Sequence, residues 1–236
     1  MHPIQRTWSQ TRINLMQKCP RAFVLRYGIA AYATKHPTGQ MLREYFSIQT
    51  PWILMQISIR ETIRDYVEDY QIGMKWSKNL IRLKFNQFFR HRVKERNSII
   101  SELSAWKDQK SMFHRVKPEQ HLEEIGAKRC IKLIQHKSFT HLLNTMTFES
   151  ISPLKSKIVD GIKVYNSPDF CAEKGETSIL IRINLFGYSS IDHINQNAAL
   201  ISLGTEKKTI VQYSWKNGKW FIHKTNVSKK ENKSIR

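Results

Sequence analysis

The chain has 236 residues, 40% of them hydrophobic and 11% aromatic, with 39 Lys and Arg against 19 Asp and Glu. That apolar content can bury a core and excludes wholesale disorder, and the length suits one elaborated domain. The net charge of +20 costs self-repulsion unless a polyanion relieves it, so nucleic acid is the first partner expected, ahead of an anionic membrane or a merely solubilising surface.

In chain order, Ser9 to Tyr32 reads as a helix capped by Ser9, with Ile13, Met16, Phe23 and Val24 on its apolar face and a break expected near Cys19, where Pro20 cannot continue the ladder. A Gly/Pro/Thr-rich loop is expected over Lys35 to Gly39. Residues 52 to 72 form a second helix on the spacing of Ile59, Ile63, Val67 and Tyr70; residues 75 to 103 form a third, longer one; Glu119 to Leu143 form a fourth around Ile125, Ile131 and Leu133. After Thr145 the period falls from 3.6 to 2. FESISPL, SKIVDGIKVYN and TSILIRINLF read as strands, SSIDHINQNAALISLG as a short helix ending at Gly204, and KTIVQYSWKNGKWFIHKTN as a hairpin. Its Asn217-Gly218 turn sets Trp215 opposite Trp220 and Tyr213 opposite Ile222. The order is a helical first half followed by β-β-β-α-β-β, an α+β fold, with a basic tail over 227 to 236.

Cys19, Cys130 and Cys171 are odd in number and form no CxxC pair, which points to reduced thiols rather than a zinc site or disulfide framework. The opening MHPIQRTWSQ has no signal-peptide core, and no run approaches the ~18 apolar residues of a membrane helix. A soluble, cytoplasmic protein without a membrane partner is expected. His114, His121, His136 and His141 are scattered, and the last two are five apart rather than four, so they do not form a helical metal pair.

The strongest functional signal is cationic. Lys75, Lys78, Arg82, Lys84, Arg90, Arg92, Lys94 and Arg96 crowd one helix, with Phe85, Phe88 and Phe89 between them. Lys75, Lys78, Arg82 and Arg96 fall near one side at 100° per residue. Phosphate contacts from this helix would be sequence-independent and salt-sensitive. The alternatives are a solvated face for the cations and core packing for the phenylalanines, which is favoured over base stacking.

Four stretches, taken together, resemble the RecB-like branch of the PD-(D/E)XK nuclease superfamily: WSQTRINLMQKCPRAFVLRYG, TPWILMQISIRETIRDYV, DGIKVYNSPDF running into SPDFCAEKGETSILIRINLFG, and INQNAALISLG. The resemblance implies a restriction-endonuclease-like mixed β-sheet core (146 to 226) on which the helical region (1 to 145) packs as one domain. It also implies a centre of two carboxylates, a lysine and an upstream histidine that hold a divalent metal and activate water. On this chain, Pro168-Asp169 matches the first carboxylate. With Gly187 as the family's final glycine, the second carboxylate falls on Ile183 and the lysine on Leu185. The upstream histidine falls on Arg60. Gln196 keeps the family glutamine, while Leu200 replaces a tyrosine.

A register slip of one would bring Arg182 or Asn184 to the acid's place, and neither is an acid. One ligand, Asp169, therefore remains, and a lone Asp is a poor Mg²⁺ site. An iron–sulfur cluster, found in some members of the branch, needs about four thiolates and is rejected. The expected protein is a catalytically inactive nuclease-like binder of nucleic acid, DNA preferred, or a subunit of a DNA-processing or mobile-element machine, with no cofactor. One alternative is an active nuclease relocated around Asp169 with Glu173, Glu176 or Asp192 and Lys174 or Lys207, using Mg²⁺ or Mn²⁺. The other is a scaffold for an acidic protein partner. The structural alternatives are a local turn role for Asp169, solvated charge for Glu173 and Glu176, and, for Asp192 beside His193, a first-turn position on the helix dipole.

Overall fold

The computed structural model describes residues 7–8, 10–32, 35–105, 120–151, 156–159, 161–165, 168–185, 191–202 and 209–226. The chain is α+β, with helices through its N-terminal half and a five-stranded mixed sheet in its C-terminal half. It divides into two compact units, one of Met1–Gln10, Arg64–Trp76 and Lys132–Arg236, the other of Thr11–Ile63 and Ser77–Ile131.

The second unit is helical. Its first segment breaks where expected: α1 (Gln10–Lys18) ends at Cys19, whose φ of −155° and ψ of 88° are not helical, and Pro20 opens α2 (Pro20–Phe23) at a position that needs no N–H donor. A π-helical turn over Val24–Ile29 and α3 (Ala30–Tyr32) follow, with the Ala30 N–H reaching back five residues to the Leu25 carbonyl. The proposed apolar face is only partly a core face, since Met16 is 40% and Val24 55% exposed. The π turn shifts the register of every later side chain, which a uniform 3.6 period cannot anticipate. The capping residue Ser9 lies outside the described residues.

The loop expected at residues 35–39 is instead the start of α4 (Pro37–Ser47), because Pro37 sits at its tolerated first-turn position and the His36 imidazole accepts the Thr38 N–H at 3.2 Å. Helix α5 (Pro51–Gln71) matches its expected span and buries Ile59, Ile63 and Val67. Its buried Ser58 and Thr62 hydroxyls donate to carbonyls four residues back, at 2.9 and 2.7 Å. Helix α6 (Lys78–Ala105) starts three residues later than predicted, leaving Lys75 outside it. The predicted fourth helix is two, α7 (Gln120–Ile134) and α8 (Lys137–Thr145), separated at His136, whose backbone is extended.

Helix α6 is held through Ile81, Phe85, Phe89, Val93 and Ile100, all nearly inaccessible. Phe85 and Phe89 stack at 5.9 Å, and the Phe85 ring occupies the place a Cβ on Gly126 would take. Gly126→Ala is therefore expected to cost about 1–3 kcal/mol, read as a lower urea midpoint at unchanged slope. An unshifted midpoint would contradict this close approach of α6 and α7.

The other unit carries both sheets. A three-stranded sheet orders β1 (Thr7–Trp8), β4 (Ile162–Tyr165) and β3 (Ser156–Val159), with β1 parallel to β4 and β3 antiparallel to it. The single strand expected over SKIVDGIKVYN is thus a hairpin, turned at Gly161 with φ of 75°. The five-stranded sheet orders β2 (Thr147–Ser150), β5 (Phe170–Lys174), β6 (Thr177–Asn184), β7 (Thr209–Lys216) and β8 (Lys219–Asn226). Among the described residues of this sheet only β6 and β7 pair in parallel, and α9 (Ile191–Ser202) makes the crossover such a pair requires.

The last hairpin has the expected register, with Trp215 opposite Trp220 and Tyr213 opposite Ile222. Asn217 and Gly218 have φ of 49° and 74°, the left-handed pair of a type I′ turn. The edge strand β2 is covered by the end of α5: Gln71 accepts the Phe148 N–H at 3.2 Å, Glu68 accepts the Ser150 hydroxyl at 2.9 Å, and Arg64 donates to the Ile151 carbonyl at 3.1 Å. Such capping stops a sheet edge from templating another chain.

One face of this sheet packs Cys171, Leu180 and Ile210 with Ala198 and Ile201 of α9 and with Ile151. The opposite face is aromatic. Tyr213 meets Phe139 of α8 edge-on at 5.5 Å, Phe139 meets Phe148, and Phe148 meets Phe170. The Tyr213 hydroxyl bonds Ser138 Oγ at 2.7 Å. Burial pushes its phenol up to about 12, against the opposing pull of the Ser138 hydrogen bond. A raised folded value keeps the full contribution below the unfolded value of 10.0 and loses it as pH rises from there towards 12. Stability is expected to fall by on the order of 2 kcal/mol over that window. Tyr213→Phe should flatten the fall, and an unchanged slope in the variant would refute the assignment.

Candidate functional site

The carried-over catalytic positions lie on the β5–β6 hairpin. Asp169 sits one residue before β5 and is 6% exposed. Its N–H donates to the Ile181 carbonyl at 2.7 Å and its carbonyl accepts the Ile151 N–H at 3.0 Å. Its carboxylate oxygen Oδ2 accepts the Ile183 N–H at 2.7 Å, standing in for a backbone acceptor where β5 stops short of β6. Arg182 Nη1 lies 3.8 Å from the same oxygen. The carboxylate therefore splices the hairpin. A divalent ion there would compete with the Ile183 amide and face a guanidinium, so these residues do not fit a metal.

Ile183 and Leu185 are 1% and 2% exposed. Ile183 pairs in register with Tyr213, so it belongs to the aromatic face behind Phe139. Alternation puts Leu180, Arg182 and Asn184 on the opposite face, towards α9. There the sheet carries a polar row, in which Asn184 Nδ2 donates to Gln212 Oε1 at 2.9 Å and to Ser214 Oγ at 3.3 Å, and Gln212 Nε2 donates to the Ile194 carbonyl at 2.8 Å. All three side chains are buried. They tie the sheet to α9 and supply neither an acid nor a base near neutrality. The sequence reading passed over them, although Gln212 and Ser214 break the apolar alternation of β7.

Glu173 and Glu176 do not converge on Asp169. Glu173 is on β5 rather than in a turn, and it accepts hydrogen bonds from Ser178 Oγ at 3.2 Å and Cys171 Sγ at 3.5 Å. Four residues of strand separate it from Asp169, roughly 13 Å at the usual rise, against the ~4 Å that two ligands of one Mg²⁺ span. Glu176 is exposed in the following turn, and Lys174 is exposed too. Among the described residues no group of three or more His, Cys, Asp or Glu could hold a metal ion. The side chains of Asp192, His193 and Gln196, and Lys207 altogether, lie outside the described residues. Arg60 is half-buried on the part of α5 that belongs to the helical unit.

The cationic set divides by what each group touches. Arg90 makes two hydrogen bonds to Glu123, at 2.7 and 2.9 Å. Arg92 forks onto Glu61, and Arg96 Nε donates to the Gln49 carbonyl at 2.7 Å. These three link α6 to its neighbours by intramolecular contacts, although the Arg90 side chain stays 62% exposed. Glu61 and Glu123, their acidic partners, were the unread signal. Lys78, Arg82 and Lys94 are exposed on α6, and Lys84 is half-buried. Lys75, exposed, is in the other unit, so the four-residue stripe predicted with Arg96 does not form on this helix. Phe85 and Phe89 are core and offer no face to a base, and Phe88 is half-buried.

No helix among the described residues is long and apolar enough to cross a membrane. No protein-family model matches this sequence, and no curated protein matches it. One solved structure, the crystal structure of SSO0001, is similar over 74% of this chain and 81% of that one, at 10% identity and a TM-score of 0.31, a level that does not establish a common fold.

Proposed function

We propose that this chain is a nucleic-acid-binding protein, with DNA the preferred ligand, built on a PD-(D/E)XK-like hairpin that no longer cleaves. The charge carries the reading. With 39 cationic side chains against 19 acidic ones, 39 − 19 = 20 positive charges stay uncompensated even if every carboxylate finds a partner. Lys78, Arg82 and Lys94 present some of that excess at exposed positions of α6, where phosphates can neutralise it. The order of the parts supports the nuclease-like ancestry: a Pro-Asp before the first hairpin strand, the two catalytic positions at the end of the second, then α9. Loss of chemistry follows from those positions holding core side chains.

Duplex and single-stranded DNA incubated with Mg²⁺ or Mn²⁺ are expected to stay intact while being retained at low salt. Metal-dependent cleavage abolished by Asp169→Ala would overturn the inactive assignment.

A further inference from the structure

Beside the Asn217-Gly218 turn a cavity of about 400 Å³ opens, lined by Lys132, Gln135, His136, Lys137, Lys219 and Trp220. Its three lysines come from three elements: the last turn of α7, the first residue of α8 and the first residue of β8. Lys132 Nζ donates to the Gly218 carbonyl at 2.7 Å and lies 5.8 Å from the Trp215 ring. Two of its three N–H donors remain for something else. Trp215 meets Trp220 at 5.2 Å, so a paired indole wall flanks the lysines.

Among the described residues no acid lines this cavity. Among the described residues neither Lys137 nor Lys219 has a carboxylate partner, and the enclosed Nδ1 of His136 has no hydrogen-bond partner. Helix α8 begins here with a lysine and no acid in its first turn, so its positive end adds to the same field. Like charges gathered around one hollow repel unless an anion sits among them. A phosphate group brings two charges and three acceptor oxygens, which suits donors approaching from three directions better than a two-oxygen carboxylate does.

We propose that this cavity binds the phosphate of an ester ligand, with the Trp215–Trp220 pair beside it for the ligand's organic part. The site uses none of the α6 residues, so it stands or falls separately from binding at that helix.

The test is a nuclear magnetic resonance titration of the full chain at low salt, watching the Trp220 indole and His136 ring signals. The probes are inorganic pyrophosphate and a DNA strand of about ten nucleotides with and without a 5′-phosphate. Pyrophosphate is expected to shift both signals to saturation. The variant Lys137→Glu/Lys219→Glu should weaken this by at least about tenfold, while Lys174→Glu/Lys224→Glu, with the same change in net charge, should leave it within about twofold. All four lysines are exposed, and an unchanged circular dichroism spectrum confirms that each variant folds.

Binding of the strand only when it carries the 5′-phosphate identifies a nucleic-acid end as the source. Equal binding of both strands identifies the backbone, and response to pyrophosphate alone identifies a small ester. No saturable shift up to about 10 mM pyrophosphate, or equal weakening by both variants, overturns the proposal.

Discussion

Retention of DNA by the purified chain is expected to be strong at low salt and to fall steeply as salt rises. Each phosphate neutralised by Lys or Arg releases condensed counterions, so log affinity against log salt has a slope of about −0.9 per contact on a duplex. The triple variant Lys78→Glu/Arg82→Glu/Lys94→Glu removes three exposed cations of α6. The slope should flatten by up to about 2.7, and affinity near 50 mM salt should drop by on the order of tenfold or more. Arg90→Ala separates binding from folding. Because Arg90 is held by two hydrogen bonds to Glu123, that variant should lower the unfolding midpoint and leave the salt slope nearly unchanged. No retention of either form of DNA at low salt would end the binding proposal. A slope change from Arg90→Ala as large as that of the triple variant would put the α6 clamps back among the phosphate ligands.

The second large effect is expected from placing the acid and lysine of the PD-(D/E)XK motif at the positions that the proposed resemblance assigns to them. Ile183→Glu with Leu185→Lys supplies an acid and a base there, yet both positions are almost wholly buried. The glutamate would enter the layer formed by Tyr213 and Phe139. Losing the isoleucine side chain and enclosing an unpartnered carboxyl there should cost about 4 kcal/mol or more, a large part of the 5–15 kcal/mol that typically holds a domain. Ile183→Val should cost only about 1 kcal/mol.

The pH dependence has a definite sign. Burial raises the folded pKa of the new carboxyl above its unfolded value near 4.3, so the deficit is smallest below about pH 4 and grows as pH rises through the folded value. Chemical denaturation of Ile183→Glu at acidic and neutral pH measures both the deficit and its direction. A double variant that folds normally and cuts DNA with Mg²⁺ would mean that these positions face an open site.

Much of the architecture was legible because local chemistry alone decides it. Pro20 lacks the donor a continuous helix needs, so the first helix breaks at Cys19. Asn217-Gly218 tolerates two positive φ values, which sets the hairpin register down to the Trp215–Trp220 pair. The spacing of Ile59, Ile63 and Val67 defines α5. What failed locally did so for identifiable reasons. The His36 side chain and Pro37 start a helix in a segment whose composition reads as loop. A π turn begins at Val24, and Val24 and the upstream Met16 are exposed where a continuous 3.6 period places an apolar face.

The site divides along the same line. Sequence by itself determined the surplus of twenty positive charges, since no arrangement of 19 acids can offset 39 bases. It also determined that Ile183 and Leu185 can neither hold a metal nor move a proton. Only the tertiary structure decided which cations have partners within the chain. Arg90, Arg92 and Arg96 pair with Glu123, Glu61 and the Gln49 carbonyl, between 31 and 47 residues away in sequence. It also decided that Asp169 caps the Ile183 amide, and that Lys132, Lys137 and Lys219 gather at one turn. Periodicity reports which way a side chain points from its own helix or strand. Its partner is set by how separate elements pack, and that information lies in no window of the sequence.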